Sequence, residues 1–313
     1  MALKAPNPRP PAVRYIVFDG SGVYTPAYAG VLSRLTELSD TECDPVCELL
    51  TSCYHIKGIG GVSGGSMMAM LVCAGVVPSK LEQLSERPDV GCFACGVSCF
   101  GPGLAGRAAS AIMASCVATC LPCCFCANEA GMLLLSRFYY DPIDAMEQLL
   151  VMHNLPATIT FAELAARQPL ELRVGMADAF TGEFVVASAA TTPDMPVATA
   201  VAASAAHPSF TKVGAIMWRG RTFYDGAFAH HVPRDLFGPA AVDETLFVQV
   251  SERARYRDNM PSKDNMREGI DDTLHLRLPV REVPGERFPL ATDMVEVGWL
   301  WMDQWMEHSG GRL

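Results

Sequence analysis

Short, wholly apolar runs alternate along the chain with longer stretches whose apolar positions follow a helical period. RYIVFD (14–19) is rich in β-formers and closes on Asp19 and a Gly-Ser-Gly turn, which predicts a buried strand opening into a tight turn. A helix is expected from Pro26 to Leu38, then a second strand over roughly His55 to Val62. The glycine-rich stretch GIGGVSGGS (58–66) leads from that strand directly into SMMAMLVCAGV, an apolar helix ending near Gly75. ELRVGMAD (171–178) and EFVVAS (183–188) read as strands, VATAVAASAA (197–206) as a helix, TFYDGAF as a turn and ETLFVQVS (244–251) as a strand. TLHLRLP and a helix around Thr292 to His308 close the chain. Strands with no polar face alternate with helices, so the expected fold is α/β, a three-layer α/β/α sandwich around a mostly parallel sheet. No repeat or long linker divides the 313 residues, and one domain is expected, with a core over about 14–308.

Composition narrows the class. Half of the chain is apolar, which excludes a disordered protein, and acidic residues outnumber basic ones 34 to 24, for a formal charge of −10. With no Lys/Arg run, nucleic acid is not an expected partner. The first residues, MALKAPNPRPPAVRY, lack the continuous apolar segment of a secretory signal, so a cytoplasmic setting is the expectation. Twelve cysteines raise the option of a disulfide scaffold, but small secreted domains are the ones that need such staples, and free or metal-bound thiols fit a chain of this length better.

The candidate chemistry starts at Ser63. Gly61-Val62-Ser63-Gly64-Gly65 fits G-x-S-x-G, a strand-to-helix turn so sharp that its flanking residues must be small, with the serine hydroxyl lifted clear of the sheet. A helix start also offers free N–H groups and partial positive charge to an oxyanion. An ordinary glycine turn carries the same letters, so the serine needs a partner to count as a nucleophile. None of the seven histidines sits in a setting that marks a catalytic triad. Asp225, in Phe223-Tyr224-Asp225-Gly226-Ala227, is the more informative base, although Asp-Gly turns are common in hairpins. A phosphate-binding loop at Gly20–Gly22 is disfavoured because no G-K-[ST] follows.

Three ordered stretches, DGSG (19–22), GVSGG (61–65) and DGA (225–227), together resemble the patatin-like phospholipases. The similarity extends through ITFAEL (159–164), MADAFTGEFVVAS (176–188) and DMPVATAVAASAAHPSF (194–210), more loosely through MLLLSRFYYDPI (132–143), and covers about Arg14 to Pro233. The resemblance implies a lipid acyl hydrolase of phospholipase A or lysophospholipase type, working through a Ser63–Asp225 dyad without metal or cofactor. It further implies an oxyanion hole of backbone amides at Gly20, Ser21 and Gly22, with Gly64, and a phospholipid or other acyl-ester substrate met by peripheral membrane contact. Where the family shows D-G-G-G-x-[RK]-G, this chain has Ser21, Tyr24 and Thr25 at the second glycine, the basic residue and the last glycine. His231 stands where many relatives carry asparagine, and either holds a loop or assists as a base. These departures keep a second reading open, a catalytically inactive scaffold that uses its cysteine-rich insert for metal, lipid or a partner.

That insert, about 91–131, is the part the resemblance does not explain. It holds Cys92, Cys95, Cys99, Cys116, Cys120, Cys123, Cys124 and Cys126 in almost uncharged surroundings. Two C-x-x-C pairs would supply four thiolates for structural zinc. The apolar setting, with Met113, Val117 and Leu121 every four residues, favours a helical cap or lid beside the site; palmitoylated cysteines are a further alternative. Met67, Met68 and Met70 either border an acyl pocket or pack in the core.

Overall fold

In the computed structural model of the chain, which describes residues 12–22, 25–39, 45–77, 80, 141–207, 214–252, 275–280 and 291–308, the first apolar run forms β1 (Tyr15–Phe18). The helices α1 (Pro26–Glu37) and α2 (Val46–Ser52) follow, then β2 (Gly58–Val62) and α3 (Gly64–Cys73). Next come α4 (Pro142–Met152), α5 (Phe161–Ala165), β3 (Glu171–Asp178), β4 (Phe184–Ala187) and α6 (Val197–Ser204). A hairpin of β5 (Ile216–Trp218) and β6 (Arg221–Asp225) leads to β7 (Thr245–Glu252), β8 (His275–Val280) and the last helix, α7 (Ala291–His308). The cysteine-rich insert, with its zinc and lid readings, lies outside the described residues, as does Tyr24.

The strands make one sheet in the order β5-β6-β3-β2-β1-β7-β8, with β4 also on β3. β8, β7, β1, β2 and β3 run parallel, while β4, β6 and β5 join antiparallel. The fold is thus the expected mixed α/β arrangement around a mostly parallel sheet.

The registers on β3 decide where the site forms. β2 pairs with residues 171–175 and β4 with 174–177, so these two take opposite edges. β6 pairs with 176–178, and because β4 already occupies one edge at 176 and 177, β6 shares the other with β2. Two strands of opposite direction therefore meet end to end along one edge. Val62 faces Gly175, and Asp225 faces the next residue, Met176.

The main core gathers Ile16, Phe18, Ile59, Val174, Leu246 and Val248 from one face of the sheet together with the apolar sides of α1, α3, α4, α6 and α7. The ten residues of α3 are all buried, and Met67, Met68 and Met70 belong to this core. Val17 and Phe247, pointing the other way by the two-residue period of a strand, pack with Leu236, Phe237 and Val242 of the loop after β6. α7 is fastened to α1 by Arg34, whose Nε donates to Asp303 at 2.9 Å and whose guanidinium stacks on Trp299.

Candidate active site

The turn between β2 and α3 is as sharp as the glycines predict. Ser63 has φ 50°, ψ −127°, a backbone conformation that costs a non-glycine residue on the order of 1–3 kcal/mol and persists only when its surroundings hold it. Both motif glycines lie against β1: a Cβ on Gly61 would come within 2.6 Å of the Phe18 carbonyl, and one on Gly65 within 2.7 Å of the Phe18 side chain. The Ser63 amide donates to Ser204 Oγ at 2.9 Å, and its carbonyl accepts from Ser66 Oγ at 2.7 Å.

The side chain of Ser63 is left to project from the turn, and its Oγ donates to Asp225 Oδ2 at 2.8 Å. Asp225 ends β6 at the point where that strand abuts β2. Its other oxygen accepts the Ala227 amide at 2.9 Å, so the D-G-A turn orients the carboxylate from below. Asp225 is 1% exposed, and burial pushes its carboxyl up to about 6, although the bonds from Ala227 and Ser63 pull the other way. A carboxylate of that strength remains ionised at neutral pH yet is a much better proton acceptor than an exposed aspartate.

The Asp19-Gly20-Ser21-Gly22 loop lies over the start of α3, where a Cβ on Gly64 would sit 2.8 Å from Ser21 Oγ. The four expected oxyanion donors are not equivalent. The Gly20 amide donates to the His231 carbonyl at 3.1 Å and the Ser21 amide to the Asp19 carbonyl at 3.0 Å, so both are engaged in fixing the loop. Among the described residues, no protein acceptor takes the amides of Gly22 or Gly64. Two of the departures from the family pattern belong together: Ser21 Oγ and Thr25 Oγ1 lie 2.9 Å apart, and Thr25 Oγ1 donates to the Gly22 carbonyl at 2.8 Å. A hydroxyl pair thus braces a loop in which glycines were expected.

His231 is placed beside Asp19, with Nε2 3.8 Å from Oδ2, and burial lowers its basicity. Of the two roles open to it from sequence, its carbonyl serves the loop-holding one. Asp19 itself is 2% exposed; its oxygens accept from the Tyr28 hydroxyl and, at 3.2 Å, from the Val250 amide. Sequence reasoning passed over Tyr28 and Ser204. A lone hydroxyl on the apolar face of a buried helix is the signal that would have found both, because it needs a partner inside.

Among the described residues, no group of three or more His, Cys, Asp or Glu side chains could hold a metal ion, and no helix is long and apolar enough to cross a membrane. Among the described residues, Cys47 and Cys73 are free thiols.

Comparison with known proteins agrees with this architecture. No curated protein sequence matches the chain. VipD from Legionella pneumophila superposes with a TM-score of 0.56 at 13% identity, over 96% of this chain and 67% of VipD, a likeness of fold. ExoU of Pseudomonas aeruginosa, in its heterodimeric complex with SpcU, gives a TM-score of 0.49 at 17% identity, over 96% of this chain and 52% of ExoU. The chain therefore spans about two thirds of the one and about half of the other. A family model described as patatin-like phospholipase matches residues 16–237, well over half of the sequence, and the chain belongs to that family.

Proposed function

We propose that the protein is a carboxylic ester hydrolase of phospholipase A or lysophospholipase type, with Ser63 as nucleophile and Asp225 as its base. Membership of the patatin-like phospholipases supports lipid acyl hydrolysis in general. The observation that carries the finer reading is the 2.8 Å bond from Ser63 Oγ, on a positive-φ elbow, to a buried carboxylate whose other oxygen is already held.

In this reading Ser63 Oγ attacks the acyl carbonyl as its proton passes to Asp225 Oδ2. Full deprotonation beforehand is excluded by the gap between an alcohol and a carboxyl of about 6, so transfer and attack are concerted. The Gly22 and Gly64 amides receive the oxyanion; the Gly20 and Ser21 amides, whose protons are committed to carbonyls, hold the loop that presents Gly22. Collapse expels the alcohol, which leaves with the proton from Asp225. Water then gives a proton to Asp225 and attacks the acyl-enzyme, and the fatty acid departs as Ser63 recovers its proton. The substrate sits at a lipid surface, so peripheral membrane contact follows from the substrate class.

The test is fatty-acid release from phosphatidylcholine vesicles and lysophosphatidylcholine micelles by the wild type, Ser63→Ala, Asp225→Asn and His231→Ala. Hydrolysis abolished in Ser63→Ala and Asp225→Asn and retained in His231→Ala is expected. Activity that survives Asp225→Asn and disappears with His231→Ala would instead make the histidine the base, and a folded wild type inert on every lipid would favour the scaffold.

A further inference from the structure

We propose that Ser204 is a positioning residue for the reaction, its hydroxyl setting the elbow so that Ser63 Oγ meets Asp225; this rests on the Ser63–Asp225 reading above. The backbone at Ser63 turns too sharply for its amide to enter either the sheet or the helical ladder that follows, and a buried N–H without an acceptor is costly. Ser204 supplies the acceptor. It is the last residue of α6, fully buried at the end of a helix otherwise made of alanine, valine and threonine. Its Oγ accepts the Ser63 amide at 2.9 Å while donating its own proton to the Gly175 carbonyl at 2.6 Å. The second bond fixes the rotor, which directs a lone pair at Ser63.

Gly175 is the residue on β3 opposite Val62, immediately before the residue opposite Asp225. The hydroxyl thus ties the nucleophile's backbone to the strand edge that carries both halves of the site. Two residues further on, the Ala206 carbonyl accepts the Asp225 amide at 3.4 Å. The end of α6 consequently touches the main chain of the nucleophile and of the base, and Ser204 is the side chain in that contact. Neither bond reaches a substrate, so the role is one of placement.

Ser204→Ala removes both bonds with a loss of one oxygen atom. On p-nitrophenyl butyrate it should lower kcat, and the rate at which a fluorophosphonate labels Ser63, by roughly tenfold to a hundredfold, the usual cost of misplacing a reacting group by a fraction of an ångström to about 1 Å. KM should stay within about threefold, because no binding contact is lost. Ser204→Thr keeps the hydroxyl and should recover most of the rate. Ser204→Cys, close in size to serine with a weak donor and acceptor, should fall between wild type and alanine, and serves if the extra methyl of threonine prevents folding. Rates per folded molecule, from melting curves run in parallel, are compared. Wild-type kcat and labelling in Ser204→Ala would overturn the proposal, as would a loss matched by an equal loss of folded protein. A wild type that neither hydrolyses the ester nor labels at Ser63 would instead bring down the dyad on which it stands.

Discussion

Two aspartates in this molecule look alike in sequence and differ in what surrounds them. Asp19 follows β1 and Asp225 ends β6; each precedes a glycine, each is buried, and burial raises both, Asp19 to about 7 and Asp225 to about 6. Asp19 is closed in by the Tyr28 phenol and the Val250 amide, with the His231 ring nearby, and its own carbonyl accepts the Ser21 amide. Asp225 spends one oxygen on its own turn and offers the other to a serine hydroxyl at the half-buried end of the elbow. Burial alone therefore does not make a carboxylate a base. Both accept a hydroxyl proton; what differs is that the Tyr28 hydroxyl on Asp19 is fully buried, whereas Ser63 on Asp225 is half-buried at the elbow, within reach of a substrate in the proposed reading.

The largest effect should come from exchanging the two carboxyls for amides. Asp225→Asn should reduce ester hydrolysis by a factor on the order of 10,000, as for loss of a residue that acts as a unit with its nucleophile. Asp19→Asn keeps an acceptor for Tyr28 and gives up the one for the Val250 amide; measured per folded molecule it should keep activity within about tenfold, because it touches no reacting atom. Equal losses in the two variants would erase the distinction. The next effect is on pH: kcat/KM should fall about tenfold per unit below an apparent value near 6, where Asp225 takes up its proton. Asp19→Asn should leave that limb in place, whereas a limb near 7 that vanishes in Asp19→Asn would transfer the titration to the loop carboxyl.

The smallest effect is on stability. Both folded carboxyls hold their protons more tightly than the ordinary 3.8, so the stability they contribute is complete below 3.8 and is lost as pH rises through about 6 and about 7. For Asp225 the rise from 3.8 to about 6 amounts to roughly 3 kcal/mol at 1.36 kcal/mol per unit. The urea midpoint of the wild type should accordingly drop between pH 4.5 and pH 8, and Asp225→Asn should flatten part of that drop. An equally steep decline in the variant would mean that the carboxyl is not buried in solution.

Much of this is legible in the amino-acid sequence, for identifiable reasons. The elbow shows in the sequence because the turn presses Gly61 and Gly65 against the end of β1, where a Cβ at either would collide with Phe18 or Asp19. β3 and the start of α1 fall where the apolar pattern puts them, and β2 is trimmed to Gly58–Val62 from the expected His55 start. The short helices α2 and α5 leave no mark in the sequence pattern, since five to seven residues carry too little periodicity to stand out. Only the family resemblance points from sequence to a meeting of Asp225 with Ser63, because the end-to-end approach of β2 and β6 along β3 is a long-range pairing with no local signature. The division of the loop amides was likewise illegible: which N–H is spent on a carbonyl depends on His231, 211 residues beyond Gly20 in the chain.

The most direct test of the central claim is the site and rate of fluorophosphonate labelling, read by peptide mass spectrometry on folded wild type and Asp225→Asn. A single adduct on Ser63 in the wild type, with labelling slowed by about three orders of magnitude or more in Asp225→Asn as expected for loss of the base, is the predicted result. An adduct on another residue, or equal labelling of Ser63 in both proteins, would contradict it.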